Sequence, residues 1–206
     1  MSTEVTSGAT APVAVMRQRE SELHALAEET DASAQAAQLR AVPAALADAP
    51  EIHRLIQYWF EQTGDVLPRT EGEIYETIRD FQVIRDPSNG SSRQLLAAGA
   101  LHVVWHDLAE IKSMVVDPST QGQGLGRIVV EACLEDAVEL GLKTVFALTT
   151  TPAFFERLGF RVAGVSAFPR KVWNECFRCP KYHACDEIAV SIDLRDRLNR
   201  RAEETP

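Results

Sequence analysis

The sequence has little that would place it in a membrane, outside the cell or on a nucleic acid. Its apolar runs are short and interrupted by charged residues, which argues against a transmembrane helix. The N-terminus has no basic start followed by an apolar core, so it does not resemble a secretory signal. Acidic residues outnumber basic ones by 30 to 21, which disfavours nucleic-acid binding as a main function. We therefore expect a cytoplasmic protein with no nucleic-acid or membrane partner.

Cysteine is also scarce, with four residues in 206. Cys133 falls in a helical pattern and is predicted to pack in the core. The other three lie close together, as Cys176-x-x-Cys179 followed by His183 and Cys185, and could supply four tetrahedral ligands to a structural zinc. Zinc usually draws its ligands as two pairs from separate segments, so reduced structural thiols are the favoured alternative. A cytoplasmic location disfavours a disulfide.

The two ends of the chain differ in composition from the middle. Residues 1–36 are rich in Ala, Ser, Thr and Glu with almost no large apolar residues, and are predicted to be a mobile tail. Residues 196–206 read as a second, charged tail. Between them, residues 37–195 are long enough and apolar enough for one well-packed domain.

The middle segment contains alternating strand and helix patterns. The predicted elements, in order, are the strand QLRAV, the helices ADAPEIHRLIQYWFEQTG and RTEGEIYETIRDF, the strands FQVIRD, QLLAAGALHVVW and LAEIKSMVVD, the helix GLGRIVVEACLEDAVELG, the strand KTVFAL, the helix TPAFFERLGF, and the strands RVAGV and DEIAVSIDL. Asp48 is a plausible N-cap of the first helix, with Pro50 just inside it. This order predicts a mixed α/β fold on one sheet, without the strict alternation of a dinucleotide-binding fold.

A glycine-rich turn, QGQGLG, joins an apolar strand to a helix. Small residues let backbone N–H groups turn inward, and the helix start adds unpaired amides and a positive dipole end, so a pyrophosphate would fit there. The spacing is G-x-G-x-G, whereas the dinucleotide fingerprint needs G-x-G-x-x-G, and Gly126 is followed by Arg127 rather than by the Lys-Ser/Thr of a P-loop. The alternative is a flexible turn with no ligand.

This turn resembles the Q/R-x-x-G-x-G/A signature of the GNAT acetyltransferase superfamily. Its flanks match too, with VVDP before it and FFERLGF after it, and LRAVPAALADAPEIHRLI is similar to the family's first strand and helix. The resemblance covers residues 39–194. It implies the GNAT fold, a mixed and mostly antiparallel sheet of about six or seven strands flanked by about four helices. It also implies acetyl-CoA as co-substrate and makes a homodimer possible.

The resemblance also implies which residues hold the coenzyme. Amides of the turn would grip the pyrophosphate, and the strand before it would splay from its neighbour and pair with the pantetheine arm. The implied coenzyme residues are Met114, Val115 and Val116 on the strand and Gln121, Gly122, Gln123, Gly124, Leu125 and Gly126 in the turn. An N–H near Val115 would face the thioester carbonyl. Arg127 could add charge to a phosphate or simply be a helix surface residue.

Acetyl transfer to an amine also needs a base. Glu110 is the best candidate, because it lies on the strand before the loop, where related acetyltransferases often place a catalytic glutamate; the alternative is a solvent-facing strand residue. His102 and His106 are weaker candidates. Many superfamily members place a tyrosine, acting as acid toward the leaving sulfur, at the position of Phe155. A thiol with a pKa of about 8.5 can leave as a thiolate, so the loss is tolerable.

The segments GALHVVWHDLAEIKSMVVDPSTQGQGLG and KTVFALTTTPAFFERLGF resemble the catalytic domain of N-acetylglutamate synthases, above all their short stand-alone bacterial form. The implied reaction acetylates the α-amine of L-glutamate, or of L-glutamine, as the first step of arginine biosynthesis. The alternatives are another small-molecule or protein amine, or a non-catalytic acetyl-CoA-binding regulatory subunit. A dicarboxylate needs cationic anchors, and Arg170 and Lys171 are the first candidates, before Lys112 and Arg79. Any one of these could instead be surface charge.

Overall fold

In the computed structural model the described residues are 39–86, 94–168, 176, 179 and 182–204. The chain divides after Leu39, and all other described residues belong to the unit Arg40–Pro206. The strands are β1 Val42–Pro43, β2 Phe81–Arg85, β3 Leu95–Trp105, β4 Leu108–Val116, β5 Thr144–Thr149, β6 Arg161–Ala163 and β7 Ile188–Asp193. The α-helices of the described part are α1 Ala49–Gln62, α2 Glu71–Glu76, α3 Leu125–Glu139, α4 Pro152–Glu156 and α5 Arg195–Glu204.

The seven strands form one sheet in the order β1-β2-β3-β4-β5-β7-β6. Neighbouring strands are antiparallel throughout, except for the parallel pair β4 and β5. The predicted mixed, mostly antiparallel sheet is therefore confirmed.

Helices cover both faces of the sheet. Along β2, Phe81 and Val83 join a buried cluster with apolar residues of α1 such as Leu55. Side chains alternate between the faces of a strand. Gln82 accordingly points to the other face, where its side chain hydrogen-bonds Asp136 on α3. Helix α1 therefore packs on one face and α3 on the other.

The sheet splits between its two parallel strands. Strands β4 and β5 pair only from Leu108 opposite Thr144 to Glu110 opposite Phe146. Beyond this point β4 runs on to Val116, while β5 stays paired with β7 along its whole length. The backbone edge of β4 is thus not bonded to β5 from residue 111 onward, as expected for a strand that splays from its neighbour.

A β-bulge bends β4 within the unpaired stretch. Ser113 and Met114 stand opposite Gly99 alone, where the register between β3 and β4 shifts. Ser113 has a φ of 54°, which is uncommon for a residue other than glycine. Bulges of this kind bend the strand that carries the extra residue. The bulge therefore helps to turn the end of β4 away from β5.

Two predicted elements are shorter than expected. The first strand was expected over QLRAV, but among the described residues it covers only Val42–Pro43, at the edge of the sheet. The second helix was expected to run on through Ile78 to Phe81. It ends at Glu76 and is followed by a 3-10 turn, Ile78–Asp80, because the backbone of Thr77 leaves the helical conformation, with φ −114° and ψ 19°.

Asp48 lies at the predicted N-terminus of α1, but its side chain does not cap the helix. Its carboxylate turns back to accept the amide of Ala45 at 2.7 Å and pairs with the guanidinium of Arg85 on β2. Asp48 is fully buried. The cap position was correct, and the expected capping role was wrong because a buried ion pair takes the carboxylate.

The charged segment near the C-terminus forms a helix, α5. Arg197 Nη1 lies 3.2 Å from Glu131 Oε2 and Arg201 Nη1 lies 3.7 Å from Glu139 Oε1, which ties α5 to α3. Within the described ranges, no helix combines the length and the apolar character needed to cross a membrane.

Candidate active site

A cavity of about 990 Å³ opens at the split between β4 and β5. One wall is β4 from Glu110 to Val116. Residues 65–69, from the segment between α1 and α2, form another part of the lining. The end of β5 and the start of α4 contribute residues 148–151 and 153–155. The cavity therefore exists because the two parallel strands diverge beneath the α1–α2 segment.

Glu110 occupies the point where the two strands part. It is the last residue of β4 that pairs with β5, and it is 3% exposed. Lys112 lies two residues further along the same strand, and its Nζ lies 3.8 Å from Glu110 Oε2. Both side chains line the cavity. The alternative of a solvent-facing strand residue is wrong, because a buried carboxylate borders the candidate site.

The backbone of β4 presents Val116 toward the gap. The amide of Asp117 donates to the Leu96 carbonyl at 2.8 Å, so Asp117 and Leu96 form a hydrogen-bonded pair with β3. Such pairs alternate along an antiparallel ladder, so the amide and carbonyl of Val116 face away from β3. The Val116 carbonyl accepts the indole N–H of Trp59 at 2.8 Å, which agrees with this direction. Val115 is buried and packs in the α1 cluster.

The three glycines of the turn have different structural roles. Gly122 and Gly124 have φ values of 78° and 81°, and a Cβ on either would meet no atom within 4 Å, so their need for glycine is conformational. Gly126 is needed for packing, since its Cβ would lie 3.3 Å from Phe154 Cζ. Gly124 is the N-cap of α3, whose first amides have no acceptor within the helix. The turn therefore offers an anion site at a helix start.

Half of the ten predicted coenzyme residues line this cavity. Those that line it are Met114, Val115, Val116, Gln121 and Gly126. Gly122, Gln123 and Gly124 form an exposed turn that continues from Gln121, and Arg127 is exposed on the first turn of α3. The side chain of Leu125 is buried in the core, so it could offer a ligand only its backbone.

Comparison with known proteins decides the family. The sequence pattern of the Acetyltransferase (GNAT) family matches residues 52–160. The chain belongs to the GNAT acetyltransferase family. It is 37% identical to an uncharacterized N-acetyltransferase of Chlorobaculum tepidum, over 71% of this chain and 91% of that protein. It is 33% identical to an amino-acid acetyltransferase of Mycobacterium tuberculosis, over 64% of this chain and 73% of the relative.

A solved structure supports the same assignment. The acetyltransferase is similar to a Mycobacterium tuberculosis protein crystallised with CoA and a second ligand, with a TM-score of 0.63 and 26% identity. The similarity covers 75% of this chain and 98% of that one. CoA binding in that protein agrees with a coenzyme site at the gap.

The acetyltransferase carries cavity residues that its sequence pattern does not reveal. Arg69 lies in the loop before α2, and its Nε donates to Ser113 Oγ in the β4 bulge at 2.8 Å. Arg157 follows α4, and Trp59 lies on the cavity side of α1. Arg69 and Ser113 are 44 positions apart, so no local periodicity connects them. Of these residues, only Arg157, which directly precedes Leu-Gly-Phe, could have been suspected from the sequence.

Other predicted residues lie elsewhere. His102 Nδ1 lies 2.8 Å from Asp80 Oδ2, His106 is exposed on the turn between β3 and β4, and Arg79 is in the 3-10 turn before β2. None of the three is among the described residues that line the cavity. Arg170 and Lys171 lie outside the described residues, so their role stays a prediction.

Phe155 occupies the position where the family resemblance implies a tyrosine that acts as an acid toward the leaving sulfur. It is buried, lines the cavity and packs edge to face against Phe154 and Phe160, at centroid distances of 5.0 and 5.2 Å. The acetyltransferase therefore presents a ring without a hydroxyl to this part of the cavity.

The cysteine segment is not a zinc site in the described structure. Among the described residues, which include Cys176, Cys179, His183 and Cys185, no group of three or more His, Cys, Asp or Glu side chains could hold a metal. Cys176 and Cys179 instead line the cavity. Cys133 is buried in α3 as predicted, and burial, assisted by Asp136, raises the pKa of its thiol to about 12.

Proposed function

We propose that this acetyltransferase moves the acetyl group of acetyl-CoA to the α-amine of L-glutamate, with L-glutamine as the second candidate amine. The reaction would be the first step of arginine biosynthesis. The observation that carries the proposal is the cavity at the β4–β5 split, where the buried carboxylate of Glu110 shares the lining with Arg69, Lys112 and Arg157. The 33% identity to an amino-acid acetyltransferase supports it.

The coenzyme would lie across the turn and along β4. The turn Gln121–Gly126 and the start of α3 would bind the pyrophosphate. The pantetheine arm would run in the gap, where β4 is not bonded to β5. Because Val116 faces the gap and Val115 faces β3, the amide expected near Val115 is better supplied by Val116. This N–H would stabilise the oxyanion that forms from the thioester carbonyl.

Glu110 would act as the base. Its carboxylate would take a proton from the substrate ammonium, directly or through a water molecule. The neutral amine would then attack the thioester carbon, and the CoA sulfur would leave. Because Phe155 has no hydroxyl, the sulfur would leave as a thiolate, which a thiol of pKa about 8.5 permits near neutral pH.

Cationic side chains in the cavity would select a substrate with two carboxylates. Arg69 is half-buried and already oriented by its bond to Ser113, and Lys112 is largely buried. Guanidinium groups bind carboxylates with paired hydrogen bonds, which favours a fixed orientation of the amine. Arg69 and Lys112 are therefore proposed anchors, and Arg170 and Lys171 remain further candidates.

A thiol-release assay tests the proposal. Purified protein would be mixed with acetyl-CoA and a panel that includes glutamate, glutamine, other amino acids, polyamines and peptides. We expect CoA release well above buffer with glutamate or glutamine. Release only with another amine would favour a GNAT enzyme of different specificity. Binding of acetyl-CoA without release for any amine would favour the non-catalytic regulatory subunit.

Replacing Glu110 tests the base. We expect Glu110→Gln to lower kcat by about 10²-fold or more, because a positioned base contributes about 10²–10⁴-fold. The loss should be larger at low pH than at high pH, where the substrate amine is already neutral. Steady-state rates from pH 6 to 10 measure this, with Glu76→Gln on the exposed side of α2 as control. An unchanged pH profile would remove Glu110 as base.

A further inference from the structure

Two cysteines border the cavity that we assign to the coenzyme. Neither Cys176 nor Cys179 is in a disulfide, and both are partly exposed and part of the cavity lining. Glu187, which directly precedes β7, lines the same cavity. The cysteine motif, which the acetyl transfer does not use, therefore lines the same cavity as β4 and Glu110.

The backbones of the two cysteines are close enough for a disulfide. The amide of Cys179 donates to the carbonyl of Cys176 at 3.0 Å, which closes a four-residue turn. The ends of such a turn have Cα atoms within about 7 Å. A disulfide needs a Cα separation of about 4.4–6.8 Å. Oxidation of this pair therefore requires little rearrangement of the backbone.

The other two cysteines, Cys133 and Cys185, lie in different surroundings. Cys133 is fully buried, and burial raises its pKa to about 12, so it is a poor nucleophile. Cys185 is exposed, and its Sγ lies 3.8 Å from Glu187 Oε2. These two residues provide internal controls for a reaction at Cys176 and Cys179.

A disulfide of CoA is a ligand with a reactive group, the S–S bond, that these two thiols can attack. Such a molecule keeps the nucleotide and pantetheine arm, so it can use the turn and the gap along β4. It differs from acetyl-CoA only beyond the sulfur, where a second thiol replaces the acetyl group. Binding would bring its S–S bond into the cavity that the two cysteines line.

We propose that Cys176 and Cys179 form a dithiol site that reduces CoA disulfides held in the acetyl-CoA site; the inference rests on the proposed function. One cysteine thiolate attacks the CoA sulfur, forming a protein–CoA mixed disulfide and releasing the other half as a thiol. The second cysteine thiolate then attacks the protein sulfur and releases CoA thiol. One disulfide is consumed, the Cys176–Cys179 disulfide forms, and the protons of both cysteines go to the released thiols.

The test compares two oxidants on the reduced, full-length protein. CoA disulfide is the probe, and glutathione disulfide is the matched compound without a nucleotide. We expect CoA disulfide to react at least about tenfold faster at equal concentration, because binding orients the reacting sulfurs. Intact mass spectrometry should show the loss of two hydrogens, and saturating acetyl-CoA should slow the reaction.

Serine variants identify the residues. Cys176→Ser and Cys179→Ser should each stop at a mixed disulfide with CoA on the remaining cysteine, whereas Cys185→Ser should behave like the parent protein. Calorimetric titration with CoA checks that each variant is folded and binds. Equal rates with both oxidants, no protection by acetyl-CoA, or trapping in neither variant would overturn the inference. If CoA itself does not bind the parent protein, the proposed function fails as well.

Discussion

At the scale of single residues, Gly99 shows how a missing side chain positions β4. A Cβ at Gly99 would lie 2.2 Å from Met114 Sδ and 2.8 Å from Val129 Cγ1. Met114 belongs to the β4 bulge and lines the cavity. The absence of a side chain on β3 therefore allows the bulge that opens the gap.

We predict that Gly99→Ala displaces Met114 and distorts the bulge. Overpacking of this kind costs about 1–3 kcal/mol in the free energy of unfolding, and the KM for acetyl-CoA should rise. Urea unfolding and steady-state kinetics measure the two effects. Gly72→Ala in α2 is the control, since its Cβ would meet only Thr70 Oγ1 at 4.0 Å. A stable variant with unchanged KM would contradict the packing argument.

Trp59 is the second informative residue, because its indole N–H bonds the Val116 carbonyl that faces the gap. We predict that Trp59→Phe raises the KM for acetyl-CoA about fivefold, since one hydrogen bond contributes about 1 kcal/mol. The kcat should change less, because the bond orients β4 and does not touch the amine. Trp105→Phe, on the exposed end of β3, is the matched control. A fall in kcat at constant KM would argue against a positioning role.

At the scale of elements, α2 begins with a capping box immediately after Arg69. The amide of Glu73 donates to Thr70 Oγ1 at 3.2 Å, and the amide of Thr70 donates to Glu73 Oε2 at 2.7 Å. The amide of Thr70 and its hydroxyl, which lies 2.8 Å from Glu73 Oε2, both donate to the Glu73 carboxylate and hold its pKa below its usual value. The cap therefore begins α2 directly after Arg69, a residue that lines the cavity.

A depressed folded-state pKa gives a defined pH dependence. The stabilisation is present above the unfolded pKa of 4.5 and is lost as the pH falls through the lower folded value. We predict that Glu73→Ala lowers the free energy of unfolding by about 0.5–1 kcal/mol at pH 7. The difference from the parent should shrink below pH 4. Urea unfolding at both pH values tests this, with Glu76→Ala on the same helix as control.

At the scale of the whole molecule, the order of strands creates the site. Strand β5 is parallel to β4 on one side and antiparallel to β7 on the other, and only the pairing with β7 continues to its end. The gap is therefore a consequence of long-range topology. The segments that complete the cavity come from between α1 and α2 and from before β7.

An ion pair between a buried aspartate and a partly exposed arginine connects the segment before α1 to the sheet. Asp48 is fully buried and pairs with Arg85 on β2, a separation of 37 positions. We predict that Asp48→Ala lowers the free energy of unfolding by about 1–3 kcal/mol, because it removes charge-assisted hydrogen bonds while the Arg85 side chain, which is 36% exposed, is only partly compensated by water. Urea unfolding measures the loss, and Asp186→Ala at an exposed site is the control. A loss equal to that of the control would show that Arg85 is fully resolvated.

The elements with strong local signals were predicted correctly. The glycines that end α3 and α4 have positive φ, and Gly141 and Gly159 lie just past their helices as expected. The helical pattern at α5 was read as a charged tail, because its contacts to α3 are ion pairs rather than an apolar stripe. Asp48 was expected to cap α1, because the sequence does not show Arg85 approaching it.

The sequence by itself determined the glycine turn at the start of α3 and the family, because glycine spacing and the order of elements can be read from short stretches of the chain. Tertiary structure alone decided which amide of β4 faces the gap, since that depends on the register with β3. It also decided that Arg69 reaches the β4 bulge and that Cys176 and Cys179 line the cavity. These relations join residues far apart in the chain, and no local pattern records them.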